Sequence, residues 1–340
     1  MSVLLPFSIL GAPGDDALDV ADVFSTDLYT GNGSTQTITN GIDLAGEGGL
    51  VWQKCRSTSQ GHYIVDTERG HQYWIESQST SAQQTALLTT NVTSFDSTGF
   101  TLGGDYSVGP NVSGRTYAAW SFRRAPKFFD VVTFTTNGSG QATVSHSLGT
   151  NQIGCVFIKS TVIGQDWKVV HRGFPSTGYY ATLNSTAAAT DRGTAQYSAT
   201  DTTITFLDNL NSTTAYVAYL FAHDTSDSGI IQCGSYTGNG SSISGPTITL
   251  GWEPQWVMIK GVDSTYSGES HWYIFDAARG IPSGDDPSLE ADTSSAENAT
   301  TGSNDLLDLT STGFRIATNA SYLNNSGDDF IYIAIRAEGA

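Results

Sequence analysis

Leu50-Val51-Trp52-Gln53-Lys54, Cys155-Val156-Phe157-Ile158-Lys159 and Trp256-Val257-Met258-Ile259-Lys260 are one stretch written three times. Each is an apolar run of strand length ending in lysine, and the lysines stand 105 and 101 residues apart. Other signatures keep the same spacing. Tyr29-Thr30-Gly31-Asn32-Gly33-Ser34 returns as Phe134-Thr135-Thr136-Asn137-Gly138-Ser139 and as Tyr236-Thr237-Gly238-Asn239-Gly240-Ser241. Arg69-Gly70 returns as Arg172-Gly173 and Arg279-Gly280. A repeat of this length is domain-sized rather than solenoid-sized. The expected organisation is an N-terminal arm over 1–24 and three repeats over 25–126, 127–227 and 228–340.

Composition points to strands. Charged residues are 14% of the 340, against a globular norm of about 25%, and there are 37 glycines. In the second repeat, strands are expected at 130–135, 142–146, 154–160, 167–171, 179–183, 194–198, 203–207 and 215–222. Asn137-Gly138 reads as the turn of a hairpin joining the first two. No segment of this repeat holds a helical apolar period, and 185–189 offers one short helical turn at most. The expected fold is therefore all-β, with three tandem β-sandwich domains of jelly-roll or lectin-like type behind a short arm. Runs such as Tyr216-Val217-Ala218-Tyr219-Leu220-Phe221 are apolar on both faces, which suits a central strand or a domain contact. The repeat junctions are short, so the domains are expected to pack together.

The net charge of −18 disfavours nucleic acid and anionic membranes as partners, because the phosphate attraction needs Lys and Arg. No apolar run is long enough for a membrane helix, and residues 4–10 make a poor signal peptide. Cys55, Cys155 and Cys233 are odd in number and lack a Cys-x-x-Cys pair, so they read as free thiols from a reducing cytosol.

Candidate sites are sparse. Asp66-Thr67-Glu68-Arg69-Gly70 and Asp276-Ala277-Ala278-Arg279-Gly280 share Asp-x-x-Arg-Gly. Such a pair could line a sugar site, but recurrence favours a structural corner made by Asp66, Arg69, Arg172, Asp276 and Arg279. In the second repeat Val169 stands where the aspartate would. His62 and His271 read as matching structural positions. No histidine pair has metal-ligand spacing, and no Gly-x-Ser-x-Gly elbow precedes a helix. Neither a catalytic residue, a metal ligand nor a cofactor is expected. Asp15-Asp16, Asp285-Asp286 and Asp328-Asp329 read as solvated loop charge in preference to Ca²⁺ ligands. Trp74, Trp167 and Trp272, with Trp52 and Trp256, are candidate glycan-stacking faces. Leu4, Leu5, Phe7, Ile9 and Leu10 form an apolar arm suited to strand addition or to docking on a partner.

Three further stretches carry a resemblance. They are 24–44, the block Ser94-Phe95-Asp96-Ser97-Thr98-Gly99-Phe100 with its echo Leu309-Thr310-Ser311-Thr312-Gly313-Phe314, and the join 117–132. Together with the opening 5–13, they resemble the tandem-repeat β domain of marine bacteriophage and cyanophage virion proteins, which are often described as tail-fibre-like or lectin-like. The resemblance covers about residues 24–337 and brings no catalytic residue with it. It implies a non-enzymatic virion protein made in the host cytoplasm. Its place would be the tail or tail fibre, with capsid decoration (head fibre or cement) and a carbohydrate-binding array as alternatives. The implied partners are other virion proteins, further copies of the chain in a trimer, and host surface polysaccharide. Recognition would fall in loops where the copies differ, such as 281–305.

Overall fold

The computed structural model describes residues 18–340 except 88, 105–106, 209, 264–269, 282–284 and 299–304. The arm residues Leu4, Leu5, Phe7, Ile9 and Leu10, and residues 282–284 and 299–304 of the 281–305 loop, lie outside the described residues. The chain is all-β, built from antiparallel sheets.

Each repeat contributes one large and one three-stranded sheet, the second adding a pair of short strands, Tyr179–Tyr180 with Thr190–Asp191, and the large sheets share an order. An opening strand (Phe24–Thr30, Phe129–Thr135, Ile231–Thr237) pairs with a closing strand (Thr116–Arg123, Ala215–Ala222, Asp329–Arg336). The closing strand pairs with the lysine strand (Gly49–Cys55, Ile153–Ser160, Pro254–Gly261). The lysine strand pairs with a corner strand (His62–Asp66, Lys168–His171, Tyr273–Asp276). The small sheets are Gln36–Thr39, Gly99–Leu102 and Val92–Asp96; Ala142–Ser145, Thr203–Phe206 and Tyr197–Ala199; and Thr247–Thr249, Gly313–Ile316 and Leu307–Thr310.

The Asn-Gly turns do not close hairpins. Phe129–Thr135 pairs with the closing strand, while Ala142–Ser145 pairs with Thr203–Phe206 in the other sheet. The turn therefore carries the chain from one sheet to the next. The Asn32, Asn137 and Asn239 side chains each accept from the backbone N–H two residues on, at 2.8, 2.9 and 2.9 Å. These Asx turns set a local bend, but they leave strand partners to longer-range packing. Residues 185–189 form no helix.

Period-two alternation explains the doubly apolar strands. Along Gly49–Cys55, Val51 and Cys55 face the first repeat's own small sheet, while Leu50 and Trp52 face the opposite way. Along Thr116–Arg123, Tyr117 and Ala119 face inward, and Ala118, Trp120 and Phe122 face outward. Those outward faces meet. One apolar cluster holds Trp52, Trp120 and Phe122 from the first repeat, Phe157, Tyr219 and Phe221 from the second, and Trp256, Met258, Ile333 and Ile335 from the third. Edge-on ring contacts cross all three boundaries: Trp52–Phe157 at 6.3 Å, Phe157–Trp272 at 6.3 Å and Phe122–Trp256 at 6.0 Å. The three large sheets are thus the walls of a common core.

Phe157 touches both neighbouring repeats and is 1% exposed. Phe157→Ala is expected to cost about 3–5 kcal/mol, the range for a large buried aromatic, as read by urea unfolding. A loss below about 0.5 kcal/mol, the size of an ordinary surface change, would contradict a shared core.

Candidate functional site

The polar residues common to the repeats converge on the boundaries between them. The strand registers place Lys54, Lys159 and Lys260 at one position on the apolar sheet face, and all three are buried. Each ammonium reaches a loop of a neighbouring repeat. Lys159 Nζ donates to the Thr80 carbonyl (2.9 Å), and Lys260 Nζ to the Thr186 carbonyl (3.1 Å). Lys54 Nζ donates to the Ser294 and Ser295 carbonyls (3.3 and 2.7 Å). So the first repeat's lysine holds the third repeat, the second's holds the first, and the third's holds the second. The ring is closed. Burial lowers each lysine to about 8, with nearby carboxylates opposing: Glu290 and Glu297 at Lys54, Asp166 at Lys159 and Asp292 at Lys260. At neutral pH they are cations held by carbonyl dipoles.

A second ring lies at the start of the corner strand. Register makes His62, Trp167 and Trp272 equivalent, because Tyr63, Lys168 and Tyr273 are paired alike with the lysine strand. Trp167 Nε1 donates to the Glu76 carbonyl (2.9 Å), and Trp272 Nε1 to the Thr182 carbonyl (3.0 Å). His62 Nε2 donates to the Glu290 carbonyl (2.9 Å), while its Nδ1 accepts from Trp52 Nε1 (2.8 Å). These bonds fix a neutral imidazole, and burial holds His62 well below its ordinary pKa. The match of His62 with His271 is therefore corrected: His62 matches Trp272. His271 instead meets the Asp292 carboxylate at 2.8 Å.

The third ring is the Asp-x-x-Arg-Gly corner. Asp66 accepts from the Arg69 N–H (2.9 Å), Arg69 Nε (2.6 Å) and the hydroxyl of Tyr219 in the second repeat (2.7 Å). Asp276 accepts from the Arg279 N–H (2.9 Å), Arg279 Nε (2.6 Å) and Nε1 of Trp120 in the first repeat (3.0 Å). Trp120 and Tyr219 occupy one register position, and Ile333 is the third member. Ile333 has nothing to donate, and the corner facing it has changed. His171, not Val169, pairs with the lysine strand where Asp66 and Asp276 do. Its Nε2 donates to the backbone carbonyl of Tyr332 (3.1 Å), and its Nδ1 accepts from the Gly173 N–H (2.9 Å). The misalignment arose because this repeat is two residues shorter between corner and arginine. Gly70 and Gly280 serve positive φ (92° and 121°). Gly173 is needed for room, since a Cβ there would stand 2.7 Å from the Gly234 carbonyl oxygen.

Glycan stacking by Trp167 and Trp272 is corrected by burial: they are 1% and 2% exposed and spend their N–H groups between repeats. Trp52 and Trp256 are buried too. Trp74 is half-buried against Tyr63, with ring centroids 4.8 Å apart. Solvated loop charge is corrected at Asp286, which is buried and caps the Leu306 and Leu307 N–H groups at 2.7 Å each. Among the described residues, no three His, Cys, Asp or Glu side chains gather where they could hold a metal. The three cysteines are free and buried.

The lysine clasp is a functional feature that the sequence analysis does not assign. Its signal was a lysine kept at the end of an apolar strand in every repeat of a lysine-poor chain.

A family model described as "Domain of unknown function (DUF7483)" matches residues 19–339. The chain belongs to the DUF7483 family. The match spans all three repeats. Comparison with curated proteins finds no match.

His171 sets a pH dependence. Unfolded, it takes up a proton near its ordinary value of 6.5; folded, burial lowers it to about 3. Between those values the unfolded chain binds more protons, so stability falls as pH falls through this window. His171→Asn keeps one donor and one acceptor. It should lose less stability than the parent between pH 7 and 4 in urea titrations, and equal losses would contradict the assignment.

Proposed function

We propose that the chain is a non-enzymatic structural protein of a bacteriophage virion, placed in the tail or tail fibre. The observation that carries this reading is the use made of the repeated polar residues. The lysines, the His62–Trp167–Trp272 position and the corner aspartates recur because they join repeats, and they are buried in doing so. What the copies share is assembly. The resemblance of the repeats to marine phage virion proteins supports the same reading, as does a low-lysine, acidic surface in seawater.

Attachment would run through Leu4, Leu5, Phe7, Ile9 and Leu10. The chain already contains a ring of three, so a homotrimer would form through surfaces outside the shared core. Capsid decoration is the rival within this class. A tryptophan-based glycan array is disfavoured, because six of the seven tryptophans are buried.

The test is the polypeptide composition of purified particles of a phage encoding this chain. The expected result is the chain at fixed stoichiometry in intact virions, with antibody labelling at the tail. Abundance in the lysate with absence from particles would overturn the proposal; labelling of the head would move it to the capsid alternative.

A further inference from the structure

The rings have one break, at the second repeat's arginine. Arg69 and Arg279 are captured by Asp66 and Asp276. Arg172 carries the same Arg-Gly motif, but His171 has replaced its aspartate. Its side chain is exposed and makes no ion pair among the described residues. It lines a cavity of about 230 Å³ in the second repeat, together with Lys127, His223, Thr150, Gln152 and Thr225.

The lining is rich in donors. Lys127 is exposed and makes no ion pair among the described residues, and it is held on the cavity by a left-handed backbone (φ 57°) and a bond from its N–H to the Leu148 carbonyl (2.8 Å). His223 Nδ1 accepts from the Cys233 N–H at 3.2 Å. The neutral ring therefore carries its proton on Nε2, and no described protein group accepts it. Thr150 Oγ1 accepts from the Gln152 N–H (3.1 Å), which leaves its hydroxyl proton to donate. The one carboxylate in the lining, Asp224, turns an oxygen to the Ser226 N–H at 2.9 Å.

This is unusual in a chain of net charge −18. Six of the ten arginines, Arg56, Arg69, Arg124, Arg192, Arg279 and Arg315, are spent on carboxylates. At the register position of His223, Arg124 is consumed by Glu68 and Asp130. In the second repeat a guanidinium, an ammonium and an imidazole N–H line one cavity, with Asp224 as the single carboxylate beside them.

We propose that this cavity binds a compact oxyanion, a sulfate or phosphate group, gripped by Arg172, Lys127 and His223 Nε2–H. The planar guanidinium fork matches the tetrahedral oxyanion edge, and Lys127 adds a point charge. The cavity admits one such group with part of whatever carries it. A sulfated sugar and a free inorganic anion present the same chemistry.

The test follows the His223 imidazole signal by NMR at pH 7, assigned with His223→Gln, in the full chain at constant ionic strength. Sodium sulfate, sodium phosphate and galactose 6-sulfate are titrated separately. A saturable shift is expected, weakened at least tenfold in Arg172→Gln and also in Lys127→Gln. Both positions are exposed, and folding is checked by the unchanged signals of buried His62 and His171. Tighter binding of galactose 6-sulfate than of sulfate would mark a sulfated glycan as the source; equal binding would mark the free anion. No saturable shift, or undiminished binding in both variants, would overturn the proposal.

Discussion

A sheet that is apolar on both faces cannot stand as the outer wall of a lone sandwich. Each large sheet of this protein is such a sheet. One face closes on a small sheet of its own repeat, and the other would expose Trp52, Phe157 or Met258 and their neighbours to water. Burying a residue of this size is worth roughly 1.5–3 kcal/mol, and each repeat brings several. The repeats are therefore driven into a ring in which each outer face is covered by the other two.

Apolar burial has no direction, so something must set how the faces dock. The polar rings supply that. Lys54, Lys159 and Lys260 lose hydration on burial, and an ammonium left without acceptors there would be costly. Only a docking that brings the neighbour's loop carbonyls within about 3 Å is tolerated. The corner aspartates work alike, each needing its own arginine and a donor from the next repeat. Where Ile333 offers no donor, the corner becomes His171 and bonds to a main-chain carbonyl instead. Side chain and partner have changed together.

Much of this could be read from the residues. The threefold spacing, the all-β class and the two-faced strands follow from local patterns. The pairing of strands did not, because Asn137-Gly138 encodes a bend and the partners are chosen by packing far along the chain. Trp167 and Trp272 passed for surface platforms because nothing local reports which face a neighbouring repeat will cover. Val169 was set against the aspartates because spacing from Arg-Gly was counted along the chain; the two-residue shortening is visible only in strand register. The unpaired Arg172 was in view as part of a corner, but its freedom depends on what His171 does in space.

Three repeats that share one core should unfold as one cooperative unit. Hydrogen exchange across a urea series, read by mass spectrometry on peptides from each large sheet, tests it directly. Gly49–Cys55, Ile153–Ser160 and Pro254–Gly261 are expected to lose protection at one urea concentration with one dependence on denaturant. Separate midpoints for the three strands, with one repeat opening while the others stay protected, would contradict it.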